Sequence, residues 1–339
     1  MKKSWFVGAV AICWTGCGAV DGGEAMEPAD PETVGRSAQA LGNFAPLWSL
    51  ENTVPLTLTS TRAMFAKWSG TCVESVLSVD LSSGSSSAMP FAPGVCRHVA
   101  AAAADTEVLV QDSGGNDVLR YTWIAEGVLG WIKVADTQGI PDGNLVMNAS
   151  HVFWSDTAGV RRAPRSGGAP TTVKSASNAY LLALDGVWLY YTLPSGAGVQ
   201  LRKVQLNGTA DALLATYGAP ITDLSFDSTH LYWPDNSGGT GRIMRLLKST
   251  NAVSRVGSAA ADRYYYTPRS TGSTLYAMFL EGSECWMNRR NLSSHHVNAE
   301  KSPWFVVPYE MRIGSDGVYT AGLYYNGGVY SGMVLRGDL

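Results

Sequence analysis

Short apolar and aromatic runs, bounded by clusters of Gly, Asp, Asn and Ser, recur along this chain. The clearest is His230-Leu231-Tyr232-Trp233-Pro234-Asp235, and the same pattern is written at His151-Val152-Phe153-Trp154-Ser155-Asp156. Aromatic and β-branched residues in runs of this length, with turn residues between them, predict strands. In the best-defined copy the predicted strands are Ile221 to Phe226, His230 to Trp233, Arg242 to Leu246 and Ala252 to Val256. No stretch of helical length holds a sustained 3.6-residue apolar period. The Ala-rich run Val99 to Ala104 is read as an inner strand from its place in the repeat, against alanine's helical preference.

Aligning the central residue of each copy gives Phe65, Leu109, Phe153, Tyr190, Tyr232, Tyr276 and Tyr319, spaced by 37 to 44 residues. Strand-rich units at such a period predict an all-β fold, a seven-bladed β-propeller of four-stranded blades over residues 44–339. The last copy runs out after its third strand, Met333 to Arg336, while Leu47 to Leu50 is a strand with no blade of its own. The N-terminal strand is therefore expected to complete the last blade and remove an open sheet edge.

Tyr232-Trp233-Pro234-Asp235 and Phe153-Trp154-Ser155-Asp156, with Leu189-Tyr190-Tyr191-Thr192 as a weaker copy, resemble the repeats of YWTD-type and related secreted bacterial propellers. The YWTD pattern is usually six-bladed, and four copies here lack the motif. The resemblance implies the fold and says little about activity.

The N-terminus reads as a targeting segment. Lys2 and Lys3 precede an apolar stretch, Trp5 to Trp14, too short to span a bilayer. Residues 1–16 form a signal peptide whose end, Trp14-Thr15-Gly16-Cys17, resembles a bacterial lipobox with Cys17 as the lipidated residue; Trp14 departs from the usual Leu. Residues 17–43 hold five acidic side chains against Arg36 and read as a disordered acidic tether. An exported lipoprotein is expected, at the outer membrane, facing the periplasm or at the cell surface. Export makes a disulfide plausible. Cys72 and Cys96 both map to loops on one predicted propeller face and are paired, leaving Cys285 as a buried thiol.

Charge narrows the partners. Without Lys2 and Lys3 the 25 basic residues become 23, against 28 acidic ones, a net charge of about −5. That argues against nucleic acid. Membrane contact is expected through the lipid anchor alone, and the domain is expected to be a monomer. Walker, Rossmann and Gly-x-Ser-x-Gly patterns are missing, and no histidine spacing fits zinc, so neither cofactor nor metal is expected. Asp105, Asp185, Asp227 and Asp316 recur at the turn after the first strand and read as turn chemistry.

A ligand site is predicted on the face that gathers the loops leading into each inner strand and those between second and third strands. Its candidates are His98, Asp142, Tyr180, Asp156, Asp223, Asp235, Arg263, Glu310 and Arg312. The leading expectation is a non-catalytic binding module for an envelope protein or glycan. The alternative is a lyase or hydrolase using His98 with Asp142 or Glu310 as an acid–base pair.

Overall fold

The computed structural model describes residues 45–69, 72–90, 101–104, 107–112, 117–123, 129–138, 143–282, 284–302, 306–314, 317–326 and 329–337. Contacts divide the chain into residues 1–30 and a unit Pro31–Leu339, and every described residue belongs to the second. The targeting segment, the tether and Cys17 lie outside the described residues.

Among the described residues the strands assort into seven four-stranded antiparallel sheets. Six are consecutive meanders. Blade 1 begins at Thr53–Leu58, blade 2 at Ala101–Ala104, blade 3 at Val146–Met147, blade 4 at Tyr180–Asp185, blade 5 at Ser225–Phe226 and blade 6 at Arg263–Ser270. In blade 7 the order is Val306–Ile313, Val318–Asn326, Val329–Gly337 and then Ala45–Glu51, so the first strand of the chain is the outer strand of the last blade. This joint is sewn by side chains as well as by the ladder. The Gly332 amide donates to Thr53 Oγ1 at 3.0 Å, and that hydroxyl donates to the Leu50 carbonyl at 2.7 Å. Trp48 lies on Phe65 with ring centroids 4.5 Å apart.

The core sits between blades. Blades 4 and 5 share a cluster built on Tyr190, Leu201, Leu231 and Trp233; blades 7 and 1 share one built on Tyr319, Val334, Phe65 and Leu77. Strand alternation explains this arrangement, since each blade faces a neighbour on both sides and both sets of alternate residues are buried. Trp154, Trp233, Tyr191, Tyr232, Phe65 and Phe153 are among the largest fully buried side chains. Removing side chains of this size from water contributes about 2–3 kcal/mol each.

Several boundaries differ from the sequence reading. The inner strands of blades 3 and 5 are only two residues long, Val146–Met147 and Ser225–Phe226. The inner strand of blade 7 starts earlier than its polar residues suggest, at Val306. Cys72 opens the third strand of blade 1 opposite Ser69. Its side chain and Cys96 lie outside the described residues, and so does their proposed disulfide. Cys285 is buried among Met278, Met287 and Met333.

Candidate functional site

The two Trp-x-Asp copies are local structural devices. In blade 3 the Asp156 carboxylate accepts from Trp154 Nε1 at 2.9 Å, from the Gln138 amide at 3.0 Å and from the Ala158 amide at 2.9 Å, with Arg161 at 3.7 Å. It fixes the hairpin, the indole and the incoming chain together. In blade 5 the Asp235 carboxylate accepts from Tyr217 Oη at 2.6 Å, Arg242 Nε at 2.5 Å and the Ser237 amide at 2.9 Å. With those positions filled, Trp233 Nε1 is left buried without a partner among the described residues. His151 and His230 open their second strands; Asn148 and Asp227 of the preceding turns cap their amides, and each imidazole Nδ1 meets the neighbouring hydroxyl at 2.8 Å.

The remaining candidates divide. Arg263 begins the inner strand of blade 6, stacks 4.9 Å from the Phe279 ring and pairs with Glu281 at 3.4 Å. Tyr180 begins the inner strand of blade 4. Neither lines the cleft described below. His98 and Asp142 lie outside the described residues. Asp223, Glu310 and Arg312 gather toward the ends of neighbouring inner strands, joined by a residue that the sequence reading missed, Arg269.

The convergence follows from the repeat. Asp223 and Glu310 each stand three residues before the last residue of their inner strands, Phe226 and Ile313, and Arg269 and Arg312 each stand one before theirs. Strand bulges at Tyr266/Arg269 and Pro308/Glu310 re-aim these side chains. Proline lacks the ladder donor and is tolerated there. Arg269 Nη1 reaches Asp223 Oδ2 at 3.3 Å, and its Nε donates to the Met311 carbonyl at 3.1 Å. From blade 1 the Leu58 amide donates to Glu310 Oε2 at 2.7 Å. One polar chain thus runs from blade 5 through 6 and 7 to blade 1.

A cleft of about 310 Å³ opens here, lined by Leu58, Arg269, Ser270, Glu310, Met311 and Arg312 among others. Leu58, Ser270 and Ile313 are the last residues of three inner strands, and Thr271 lies in the following turn. The cleft therefore opens on the face of the first-to-second-strand turns. The predicted site lay on the opposite face, because the sequence reading took Glu310 and Arg312 for residues near the start of their strand; they are the fifth and seventh of its eight.

Burial pushes the Glu310 carboxyl above the ordinary carboxylate range. Arg269, the Leu58 amide and Thr57 oppose that shift, and Asp223 adds to it. Ser270 is committed elsewhere, donating to Asp227 at 2.9 Å. Arg312 makes no hydrogen bond or ion pair among the described residues. Among the described residues no histidine lines the cleft. Among the described residues no group of three His, Cys, Asp or Glu side chains is placed to hold a metal ion, and no helix is long and apolar enough to cross a membrane.

No protein-family model matches this chain, and no curated protein matches it. Solved structures do. A chain of a nidogen/laminin complex matches at 17% identity and a TM-score of 0.50, over 71% of this chain and 93% of its own. Catalytically inactive virginiamycin B lyase from Staphylococcus aureus, with quinupristin, matches at 12% identity and a TM-score of 0.55, over 84% and 97%. An oligogalacturonate lyase in complex with manganese matches at 10% identity and a TM-score of 0.60, over 88% and 98%. The chain is a β-propeller. At these identities the likeness shows the fold alone, and this propeller's neighbours include both a component of a binding complex and enzymes.

Proposed function

We propose that this propeller is a non-catalytic binding module of the cell envelope, exported and held by a lipid on Cys17, and that it takes its ligand in the strand-end cleft. One observation carries the reading. Polar side chains from blades 6 and 7 converge in that cleft and, among the described residues, leave Arg312 without a hydrogen-bond or ion-pair partner, whereas Asp156 and Asp235 are consumed by their own hairpins. A concave site with few, convergent polar groups is where a ligand is expected. An envelope protein would present a side chain or terminus to the cleft, and a glycan a sugar.

The test is capture from envelope extract by the full chain in detergent, read by mass spectrometry for proteins and small molecules. The comparison is a variant with the cleft filled from the exposed lining position Thr271, as Thr271→Trp. A partner retained by the wild type and lost by the variant supports the cleft. A partner retained equally by both places the binding surface elsewhere.

A second reading has its own observation. A carboxyl driven toward neutrality, as at Glu310, is suited to general-acid work. In a lyase or hydrolase it would need a base, and the nearest carboxylate in its network, Asp223, is tied to Arg269. Turnover of a captured small molecule by the wild type, abolished by Glu310→Gln, would move the assignment to an enzyme.

A further inference from the structure

Resting on the cleft as binding site, we propose that its ligand is a small molecule bearing a carboxylate, which pairs with the Arg312 guanidinium while the ligand's hydroxyl-bearing body lies against Glu310. The cleft's charges lead there. Arg269 is already balanced by Asp223 at 3.3 Å and anchored on the Met311 carbonyl. Arg312 is the cation left over. Guanidinium and carboxylate match as two parallel hydrogen bonds, and such a pair is stronger than a neutral one. Leu58 and Met311 present backbone groups here, the Leu58 amide to Glu310 and the Met311 carbonyl to Arg269, and Thr271 and Ile313 complete the lining. The volume of about 310 Å³ suits a single sugar acid or a molecule of that size.

Glu310 sets the sign of the pH dependence. The groups that face it are Thr57 and the Leu58 amide from blade 1, Asp223 from blade 5, Arg269 from blade 6 and Arg312 on its own strand. While Glu310 is neutral, the two arginines outweigh Asp223 and the carboxyl can donate to a ligand hydroxyl. Once it ionises, the local excess of positive charge is gone and an arriving carboxylate is no longer drawn in. Affinity is therefore expected to fall as pH rises through the Glu310 pKa, the ligand itself staying ionised throughout.

The probes are glucuronate, glucose and glucosamine, titrated calorimetrically into the full chain in detergent at pH 5 and pH 8 and fixed ionic strength. Glucuronate should bind at least about tenfold more tightly than the other two. Arg312→Gln should weaken it by about ten- to hundredfold, with part regained in Arg312→Lys. Glu310→Gln should flatten the pH dependence of whatever glucuronate binding remains. Circular dichroism of each variant shows that it is folded. Equal binding of all three sugars, or undiminished glucuronate binding by folded Arg312→Gln, overturns the proposal. Glucosamine or glucose bound preferentially, and lost in Thr271→Trp, would overturn the carboxylate while leaving the cleft as the site. No binding of any probe overturns the ligand class, and the envelope capture by Thr271→Trp then decides separately whether the cleft binds anything.

Discussion

Glu310 shows what the cleft costs the fold. Its carboxyl is raised, so the folded chain holds this proton more tightly than the unfolded chain does. Stability is therefore fullest below the ordinary value of 4.5 and declines as pH rises through the folded pKa. Glu310→Gln removes the buried charge and keeps an oxygen for the Leu58 amide. The variant is expected to melt higher than the wild type at pH 8 and at the same temperature at pH 4; a lower melting temperature at both would show that the carboxylate is a net stabiliser. Such a gain on removing a site residue is the usual mark of function maintained at the expense of stability. Asp156 is the opposite kind of residue. Asp156→Ala would strand the buried Trp154 indole N–H and two amides. At about 1–3 kcal/mol for each orphaned group, denaturant unfolding should register a loss of about 3 kcal/mol or more. A loss below about 1 kcal/mol would mean that water replaces the carboxylate.

At the scale of elements, the second strands were plain in the sequence and the inner strands were not. Tyr232-Trp233 and Phe153-Trp154 announce themselves because alternate aromatics fill both faces of a blade. The inner strands carry the site, and their bulges defeat a count by twos. Pro55, Pro268 and Pro308 each lie at or within such a bulge. Beyond a bulge the side chains change face, so Glu310 and Arg312 could be picked as polar residues of an inner strand without knowing which end of the channel they reached. Counting backward from the turn would have aligned Arg269 with Arg312 and Asp223 with Glu310. The joint of blade 7 is the element with the sharpest test. A Cβ on Gly332 would stand 2.3 Å from Thr53 Oγ1 and 2.7 Å from Phe65 Cδ1. Gly332→Ala should cost about 1–3 kcal/mol. Deleting residues 44–52 should lower the melting temperature far more, since it exposes the edge at Val329–Gly337. An unchanged melting temperature in the deletion would mean that the outer strand contributes nothing to closure.

Across the whole molecule, neighbouring blades are tied by polar clasps as well as by their shared cores, and acidic residues dominate those ties. Lys174 of blade 3 pairs with Asp211 of blade 4 at 2.8 Å. Lys248 of blade 5 reaches Asp185 of blade 4 at 2.6 Å, and Ser270 of blade 6 donates to Asp227 of blade 5 at 2.9 Å. Burial works against ionisation of Asp211, but Arg202, Lys174 and Tyr191 outweigh it and hold the carboxyl at about 2. At Asp227 burial is likewise the largest influence, and it is outweighed by the amides of Thr229 and His230 and the hydroxyls of Tyr232 and Ser270, which bring the carboxyl well below the usual range. A depressed carboxyl contributes its stability fully above the unfolded value, here 3.8, and loses it as pH falls toward the folded one. The ring is thus expected to keep its clasps down to about pH 4 and to loosen steeply between there and about pH 2. Asp227→Asn separates this cause from general acid damage. Its amide nitrogen cannot accept from both hydroxyls, so the variant should melt lower than the wild type at pH 7 and lose less on going from pH 4 to pH 2. Melting temperatures recorded at fixed salt across that range decide it: parallel curves for the two proteins would mean that Asp227 takes no part in the acid transition.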